Sequence, residues 1–229
     1  MEDGKENKML NVLYEDNHVL CVEKPVNMPS MEDDSHDEDL LSLCKVYLKE
    51  KYNKPGNVYC GLIHRLDRPV GGVMVFAKTS KAASRLSDSV RKHELRKEYF
   101  AVLDGVLKEK QGTLEDYLIK DPKTNMVTVT DAKHGKKCIL HYEVLQVSSN
   151  HTLVHITLDT GRSHQIRVQF SSRNVPLVYD QRYNKHAGKG QIALYAFRLT
   201  FPHPTLKEPV TVEHMPPKTS PWNEFKVSL

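Results

Sequence analysis

Stretches of apolar residues that alternate with polar ones, or that run without a break, predict the strands of this chain. Val154, Ile156 and Leu158 alternate with polar residues, as in a strand with one buried face. The segment 73–77 is apolar throughout and rich in β-branched residues, which indicates a fully buried strand. Further strands are predicted at 97–106, 138–147 and 193–201, and a hairpin is predicted from 11–14 and 18–23.

Apolar residues at helical spacing predict three helices between these strands. The first begins at Asp37, a favourable N-cap, and its apolar residues recur every three or four positions up to Leu48. The second is capped by Thr79 or the residue after it, and the third by Thr160 or Ser163. Strands follow one another too often for a doubly wound parallel sheet, so the pattern predicts an α+β fold.

Composition places the chain among folded globular proteins. Of its 229 residues, 39% are hydrophobic and 27% are charged, which excludes the disordered and low-complexity classes. No apolar run approaches the ~18 residues of a membrane span, and the segment 1–8 lacks the apolar stretch of a secretory signal. The four cysteines are far apart, which indicates free thiols in a reducing compartment. We therefore expect a cytoplasmic protein that does not contact membranes.

Charge is unevenly distributed along the chain. The 33 Lys and Arg against 29 Asp and Glu give a net charge of +4, too small to indicate a nucleic-acid partner by itself. Residues 32–39 contain six acidic residues, so the rest of the chain is more basic than the total suggests. Each charged run is compatible with a solvated face, or with part of a surface that binds a polyanion. The basic clusters are Arg91, Lys92, Arg96 and Lys97, then Lys133, Lys136 and Lys137, then Arg182, Lys185 and Lys189.

The loop before the long apolar strand has the composition of a reactive segment. Asp67 is followed by Pro69, which favours extended backbone before it, and by Gly71-Gly72, which allows close backbone approach. Arg65 and Arg68 flank the carboxylate. Asp67 is therefore a candidate reactive group, and the alternative is that it only closes a turn in a local ion pair.

A second segment, 158–167, joins a strand end to the third predicted helix. Arg162 lies in the turn and Arg167 lies one turn into the helix, so the first can point outward to a phosphate and the second inward. A buried Arg needs an anionic partner, for which Asp67 is the candidate. Such a pair would favour the ionised carboxylate that an oxygen nucleophile needs. The alternative is that Arg167 only packs its stem under the sheet.

Five blocks of residues occur in order along the chain. They are Tyr14-Glu15-Asp16 with Lys24-Pro25, then His64-Arg65-Leu66-Asp67 before Gly72 and Val75-Phe76-Ala77-Lys78, then Lys97-Glu98-Tyr99, then Thr160-Gly161-Arg162 with His164-Gln165-Ile166-Arg167, and Leu194-Tyr195-Ala196 before Pro202-His203-Pro204. Together they closely resemble the signature of the pseudouridine synthases of the RluA type, which isomerise uridine in structured RNA. The resemblance covers roughly residues 10–215, nearly the whole chain.

The resemblance implies a fold and a domain organisation. The family fold is α+β, with a mostly antiparallel mixed central sheet flanked by helices and loops and a catalytic cleft across the sheet. One catalytic domain is expected over 1–229, with its core at about 10–215. The separate N-terminal S4 RNA-binding domain of many relatives is not expected, so this domain would bind RNA largely unaided, as a monomer.

The resemblance also implies a role for individual residues. Asp67 would be the catalytic carboxylate, either attacking the sugar or abstracting a proton, and Arg167 would pair with it. Tyr99 would stack on the uracil with its hydroxyl near C5; outside this motif it would be interpreted as a core residue. Arg65 would fill the gap that the flipped nucleotide leaves. Further substrate contacts are expected from His64, Arg162, Gln165, Ile166 and Leu194, the last two as walls of the uracil pocket.

The twelve histidines are not expected to bind a metal, because their spacing lacks H-E-x-x-H or a comparable pattern. His64 and His164 are interpreted as structural side chains bonded to nearby backbone rather than as acid–base groups. Pseudouridine formation rearranges atoms without oxidation, and the chain has no dinucleotide-binding or phosphate-loop motif. No cofactor is therefore expected.

Two stretches depart from the family pattern. Val70-Gly71-Gly72 stands where Thr-Ser-Gly is common, and Val178-Tyr179-Asp180 stands where Gly-Asp is common. Neither departure removes a group that the chemistry needs, although both affect the loops that would contact the substrate.

The leading hypothesis is an RNA pseudouridine synthase that acts on ribosomal or transfer RNA through a flipped uridine. The alternatives are an RNA N-glycosidase that uses the same carboxylate and a non-catalytic RNA-binding protein on the same fold. The acidic segment 32–39 is expected to mask a basic surface. That surface is predicted to include Arg91, Lys92, Arg182 and Lys185, around the Asp67 cleft.

Overall fold

The computed structural model describes residues 10–227, which form one large mixed β-sheet and three α-helices. The strands are β1 (Val12–Glu15), β2 (Val19–Lys24), β3 (Gly61–Leu62), β4 (Gly71–Ala77), β5 (Arg96–Asp104), β6 (Gln111–Lys120), β7 (Val127–Thr130), β8 (Lys136–Val147), β9 (His151–Leu158), β10 (Leu194–Pro202) and β11 (Pro209–Glu213). The helices are α1 (Leu40–Lys51), α2 (Ser80–Arg91) and α3 (Gln165–Ser171). None of these helices is long and apolar enough to cross a membrane. The segment 1–8, on which the secretory-signal prediction rests, lies outside the described residues.

Neighbouring strands of the sheet are almost all antiparallel. Their order is β1-β2-β4-β10-β5-β9-β8-β6-β7, with β3 paired to β4 and β11 paired to β10. Among the strand pairs of residues 10–227, only β4 and β10 run parallel. The predicted α+β class with a mostly antiparallel mixed sheet is confirmed.

The parallel contact between β4 and β10 depends on Gly72. Its φ is +133°, a conformation that L side chains rarely adopt, and a Cβ there would overlap the backbone carbonyl of Ala196. The close backbone approach predicted for Gly71-Gly72 is therefore present. It places the loop before β4 directly beside the start of β10, at the centre of the sheet.

The long apolar strand is buried on both faces, as predicted. Met74 and Phe76 of β4 belong to the main core together with residues of α1, whereas Val73 and Val75 pack with Leu86 of α2. Alternate side chains of one strand point to opposite faces, so a continuous apolar run is what a strand covered on both sides requires. This arrangement makes β4 a rigid support for the loop that precedes it.

The predicted hairpin and long strands are present, but β3, β6, β7 and β11 were not predicted. The inward positions of β6 include Leu114 and Leu118, with Asp116 between them. Asp116 interrupts the apolar alternation because it accepts hydrogen bonds from Gln169 (2.8 Å) and Arg173 (2.8 Å). Both partners are distant in sequence, so the local pattern did not reveal a strand.

The first two helices form where the apolar spacing placed them. The prediction that Asp37 caps α1 was wrong, because Asp39 is the N-cap and its carboxylate accepts the Ser42 N–H at 3.0 Å. Asp37 instead forms an ion pair with Arg68. The cap of α2 is confirmed, since the Thr79 hydroxyl accepts the Ala82 N–H at 3.1 Å.

The start of α3 differs from the prediction. Its N-cap is His164, which has a left-handed backbone (φ +53°) and makes no side-chain cap hydrogen bond. Thr160 accepts the Ile139 N–H (2.9 Å) and donates to the Gln165 side chain (2.8 Å), so it ties the loop to β8 instead. The predicted caps Thr160 and Ser163 were wrong because the turn is stabilised by contacts with a neighbouring strand.

Candidate active site

The loop that carries Asp67 is held in place on both sides of the carboxylate. Val70 N–H donates to the Asp67 carbonyl at 2.9 Å and closes a turn. Ser30 Oγ donates to the Leu66 carbonyl at 2.9 Å, and the Leu66 N–H donates back to Ser30 Oγ at 3.2 Å. Lys24 Nζ donates to the Arg68 carbonyl at 3.0 Å. Asp67 therefore projects from a backbone with little freedom to move.

Lys24 anchors this loop from a fully buried position. Its ammonium donates to three carbonyl oxygens, those of Pro25 (2.9 Å), Met28 (2.6 Å) and Arg68 (3.0 Å). Burial lowers the pKa of Lys24 to about 7, although the negative charge of Asp67 acts in the opposite direction. In the sequence, the Lys24-Pro25 motif was the only signal that pointed to Lys24.

Arg167 pairs with Asp67, as predicted, and is itself held by a second carboxylate. Its Nη1 lies 3.2 Å from Asp67 Oδ2, while its Nε and Nη2 donate to the two oxygens of Asp180 at 2.9 and 2.7 Å. Asp180 is fully buried, Arg167 is 6% exposed and Asp67 is 26% exposed. Burial by itself would lower the pKa of Arg167, but Asp180 and Asp67 outweigh it and raise that pKa. The carboxylate that faces solvent is thus Asp67.

Asp180 was not predicted as a site residue. It directly follows Tyr179, in the segment 178–180 that departs from the family pattern. Besides holding Arg167, it accepts the N–H groups of Arg182 (3.0 Å) and Tyr183 (3.2 Å). The presence of a second acidic residue was visible in the sequence, but its pairing with Arg167 was not.

Two connected cavities meet at Asp67. The larger is an open groove of about 1310 Å³, and the smaller is a cavity of about 80 Å³ that lies deeper, beside β5 and β10. Tyr99, Ile166 and Leu194 line the small cavity but not the groove. The residues that line both are Arg65, Leu66, Asp67, Lys97, Gly161, Arg162, His164 and Arg167.

Tyr99 lies in β5 and is nearly buried in the wall of the small cavity. Its hydroxyl makes no hydrogen bond with any residue in 10–227. Burial and the negative charge of Asp67 both raise the pKa of Tyr99, so its hydroxyl keeps its proton at neutral pH. A flat ring with an unpaired hydroxyl beside a carboxylate suits a planar polar ligand.

The two histidines of the site are neutral at pH 7. His64 is buried, and its Nε2 accepts the Val75 N–H at 3.2 Å, as predicted for a structural histidine. Burial lowers the pKa of His64 to about 3, helped by the positive charge of Lys97. His164 Nδ1 lies 2.6 Å from the Tyr183 hydroxyl, and its Nε2 lies 3.9 Å from Asp67 Oδ2. Burial also lowers the pKa of His164, against the opposing effect of Asp67.

Gln165 and Arg162 hold the loop before α3 together. Gln165 is buried and its amide is used internally, accepting the Arg162 N–H (3.1 Å) and donating to the Ile139 carbonyl (3.1 Å). Arg162 is exposed, as predicted, and its Nε donates to the Lys137 carbonyl at 3.1 Å. Arg65 is also exposed, at the boundary of the two cavities. Gln165 is therefore placed to shape the cavity more than to contact a ligand.

The charged rim of the groove differs in part from the predicted one. Of the four basic residues expected there, Arg182 lines the groove, whereas Arg91 and Lys92 pair with Asp88 on α2. Among the described residues, Arg91, Lys92 and Lys185 do not line the groove. The groove is also lined by two acidic residues, Glu32 and Asp33.

No cluster of three or more His, Cys, Asp or Glu side chains that could hold a metal ion occurs within residues 10–227. Besides Arg167, which is paired with Asp67 and Asp180, the cationic groups on the groove are Lys97, Lys120, Arg162 and Arg182, together with Arg65 and Arg68. Such a lining suits the phosphates of a nucleic acid.

Comparison with known proteins gives a consistent result. Residues 18–172 match a family model described as RNA pseudouridylate synthase. Ribosomal large subunit pseudouridine synthase C of Buchnera aphidicola is 30% identical over 213 residues, 88% of this chain and 65% of that protein. Ribosomal large subunit pseudouridine synthase D of Neisseria meningitidis is 31% identical over 221 residues, 89% of this chain and 57% of that protein. The chain thus spans less than two thirds of the length of these two relatives.

A shorter relative and two solved structures match nearly end to end. An uncharacterized RNA pseudouridine synthase of Zymomonas mobilis is 31% identical over 216 residues, 90% of this chain and 94% of that protein. The structure of human RNA pseudouridylate synthase domain containing 4 superposes with a TM-score of 0.78 at 18% identity, covering 91% of this chain and 89% of that one. The structure of human RNA pseudouridylate synthase domain containing 1 superposes with a TM-score of 0.74 at 23% identity, covering 96% of this chain and 88% of that one. The two structures share the fold described above.

Proposed function

This chain belongs to the RNA pseudouridylate synthase family, and from that premise we propose that it isomerises uridine to pseudouridine in structured RNA. The observation that carries the proposal is the position of Asp67. Its carboxylate is held by Arg167, is open to solvent, and lies where a groove for nucleic acid meets a small cavity lined by Tyr99. That arrangement suits a reaction on a base turned out of its strand.

The reaction makes limited chemical demands. The N1–C1′ bond of uridine breaks, the uracil rotates while it is held, C5 joins C1′, C5 loses its proton, and N1 gains one, so that the product is an isomer of the substrate. No electron donor or acceptor is consumed. The enzyme must supply a carboxylate at C1′ or at a sugar proton, a group that removes the C5 proton, and a site that retains the detached base. Asp67 suits either carboxylate role, because its side chain is partly exposed and lines both cavities.

We assign the remaining residues according to their position. Tyr99, with its protonated hydroxyl, would stack on the uracil, and Ile166 and Leu194 would form the apolar walls around it. Arg65 is exposed at the boundary and would occupy the space that the flipped nucleotide leaves in the RNA. Arg167, held by Asp180, would keep the carboxylate oriented while the base moves.

Ribosomal RNA is the substrate that we propose, because several relatives are named as ribosomal large subunit pseudouridine synthases. Transfer RNA is the alternative. We further propose that the chain forms one catalytic domain, with its core at about 10–215, which acts as a monomer without a cofactor. A cytoplasmic location is proposed because all four cysteines are free thiols.

The test compares the purified protein with its Asp67→Asn variant on total RNA from cells that lack the gene, followed by mapping of pseudouridine. The wild type should modify specific uridines and Asp67→Asn none, while both bind RNA equally well and unfold at similar denaturant concentration. Asp159→Asn, at a half-exposed carboxylate outside the cavities, serves as the matched control and should retain activity.

Other outcomes would contradict the proposal. Release of free uracil with an abasic RNA product would identify an N-glycosidase. RNA binding without any change to the RNA, and full activity of Asp67→Asn, would each exclude the proposed mechanism. A modified site in transfer RNA would change only the substrate.

A further inference from the structure

Lys97 is a cation that the proposed reaction does not yet use. It lies in β5 two residues before Tyr99, and side chains two residues apart in a strand point to the same face. Tyr99 lines only the small cavity, whereas Lys97 lines both the small cavity and the groove. Its side chain is therefore located at the passage between them.

Lys97 has no electrostatic partner within residues 10–227. None of the described carboxylates lies within 4.0 Å of its Nζ, and none of the described acceptors lies within hydrogen-bond distance. The neighbouring Arg96 is paired with Glu98 at 3.1 Å, and Lys137 is paired with Glu115 at 2.7 Å. A half-buried ammonium without a partner is energetically unfavourable, which indicates a ligand that supplies the missing negative charge.

The surroundings of Lys97 support an anionic ligand. Burial lowers the pKa of Lys97, and its positive charge contributes to the lowered pKa of His64. Gly161 leaves space next to the ammonium, since a Cβ at that position would lie 2.8 Å from Nζ. Arg162 and Arg65 line the same passage but are exposed, so Lys97 is the most enclosed of the three cations.

We propose that Lys97 binds the phosphate of the uridine whose base enters the small cavity. This inference rests on the proposed function. When a base turns into the small cavity, its phosphodiester stays in the groove, and Lys97 lies between the two. An ion pair there forms only with the flipped nucleotide, so Lys97 stabilises the flipped state in addition to attracting RNA.

The first test measures how salt affects the binding of a fluorescently labelled 15-residue oligouridylate. In Lys97→Met, which keeps the length of the side chain and removes its charge, the slope of log affinity against log salt should become shallower by about 0.7, the value for one phosphate contact on a single strand. Lys97→Arg should restore the slope. Lys45→Met, at an exposed helical lysine outside both cavities, is the matched control and should leave it unchanged.

The second test separates this inference from the proposed function. Pseudouridine formation on total RNA is measured for the same variants, with Lys97→Gln as a second neutral side chain and with urea unfolding to verify the fold. Both neutral variants should form pseudouridine more slowly than the wild type at subsaturating RNA. Lys97→Arg should restore the rate of the wild type. If the wild type is active and the neutral variants keep both its slope and its rate, only the inference about Lys97 is overturned. If the wild type is inactive while Lys97→Met shows the shallower slope, the phosphate contact stands and the proposed reaction fails.

Discussion

Arg167 Nη1 lies 3.2 Å from Asp67 Oδ2 and thereby joins α3 to a loop that precedes it by 100 positions. The same guanidinium is bound by both oxygens of Asp180. A guanidinium has donors in a rigid planar fork, so two of them fix its plane on Asp180 while a third reaches Asp67. The orientation of the candidate catalytic carboxylate therefore depends on a second, buried carboxylate.

The first prediction concerns Asp180→Asn. Removing the negative charge leaves the buried Arg167 with one partly exposed carboxylate, and breaking a buried ion pair costs roughly 3–5 kcal/mol. The free energy of unfolding in urea should fall by about that amount. Pseudouridine formation should also slow, because Arg167 can then rotate away from Asp67.

A control variant distinguishes this effect from the simple loss of a surface charge. Glu115 pairs with Lys137 where both side chains are about half exposed. Glu115→Gln should change the free energy of unfolding by less than about 1 kcal/mol, as is usual for exposed pairs. If both variants lost the same free energy of unfolding, the buried pair of Asp180 and Arg167 would stabilise the protein no more than an exposed ion pair does.

The second prediction concerns the hydroxyl of Tyr99. Because it bonds no described residue, Tyr99→Phe should change the free energy of unfolding by less than about 1 kcal/mol. If the protonated hydroxyl relays the C5 proton to another acceptor, product formation should fall by roughly 10²- to 10⁴-fold. The measurement is the single-turnover rate with RNA in which the target uridine is tritiated at C5. A wild-type rate in Tyr99→Phe would restrict Tyr99 to stacking.

The third prediction is a pH dependence of stability due to His64. Its pKa is lowered to about 3 in the folded protein, whereas an unfolded histidine titrates near pH 6.5. Between these values only the unfolded chain binds the proton, so the stability is complete above pH 6.5 and is lost as the pH falls toward 3. The loss should approach about 1.4 kcal/mol per pH unit in that window.

The measurement is urea unfolding of wild type and His64→Gln at pH 7, 6, 5 and 4. Glutamine can still accept the Val75 N–H but does not titrate. The variant should therefore show a shallower dependence on pH below 6.5 than the wild type. Parallel curves would mean that folding does not lower the pKa of His64.

The fourth prediction concerns the acidic segment 32–39. Glu32 and Asp33 line the groove, and Arg68 pairs with Asp33 and Asp37 at its edge. Asp33→Asn combined with Asp37→Asn should release Arg68 and reduce repulsion of phosphates. At low salt the affinity for RNA should rise several-fold, because two negative charges beside the groove are removed, and the gain should vanish at high salt, where exposed charges are screened.

The control for this prediction is Glu50→Gln combined with Glu109→Gln. It changes the net charge by the same amount as the Asp33 and Asp37 double variant, but at positions outside the groove. If affinity depends on the location of the charge, this control should bind RNA almost like the wild type. An equal gain in both double variants would instead point to net charge alone.

The local sequence pattern was sufficient to predict much of the architecture and the chemical groups of the site. Alternation and apolar runs correctly predicted β4, β5, β8, β9 and β10. A strand buried on one face has alternating apolar residues, and one buried on both faces has a continuous apolar run, so the pattern is visible within the strand itself. Motif blocks identified Asp67, Tyr99 and Arg167, whose side chains all line the small cavity. The cap of α1 and strand β6 were missed, since Asp37 and Asp116 bond residues far along the chain.

Contacts between distant segments account for the rest. The anchoring of the Asp67 loop by Lys24 spans 44 positions, and the unpaired state of Lys97 depends on every segment that surrounds it. A hydrogen bond or a missing partner depends on distances in space, which periodicity along one segment does not encode. Sequence therefore indicated which reactive groups the chain carries, and folding determined which of them are paired, which are buried, and which face the groove.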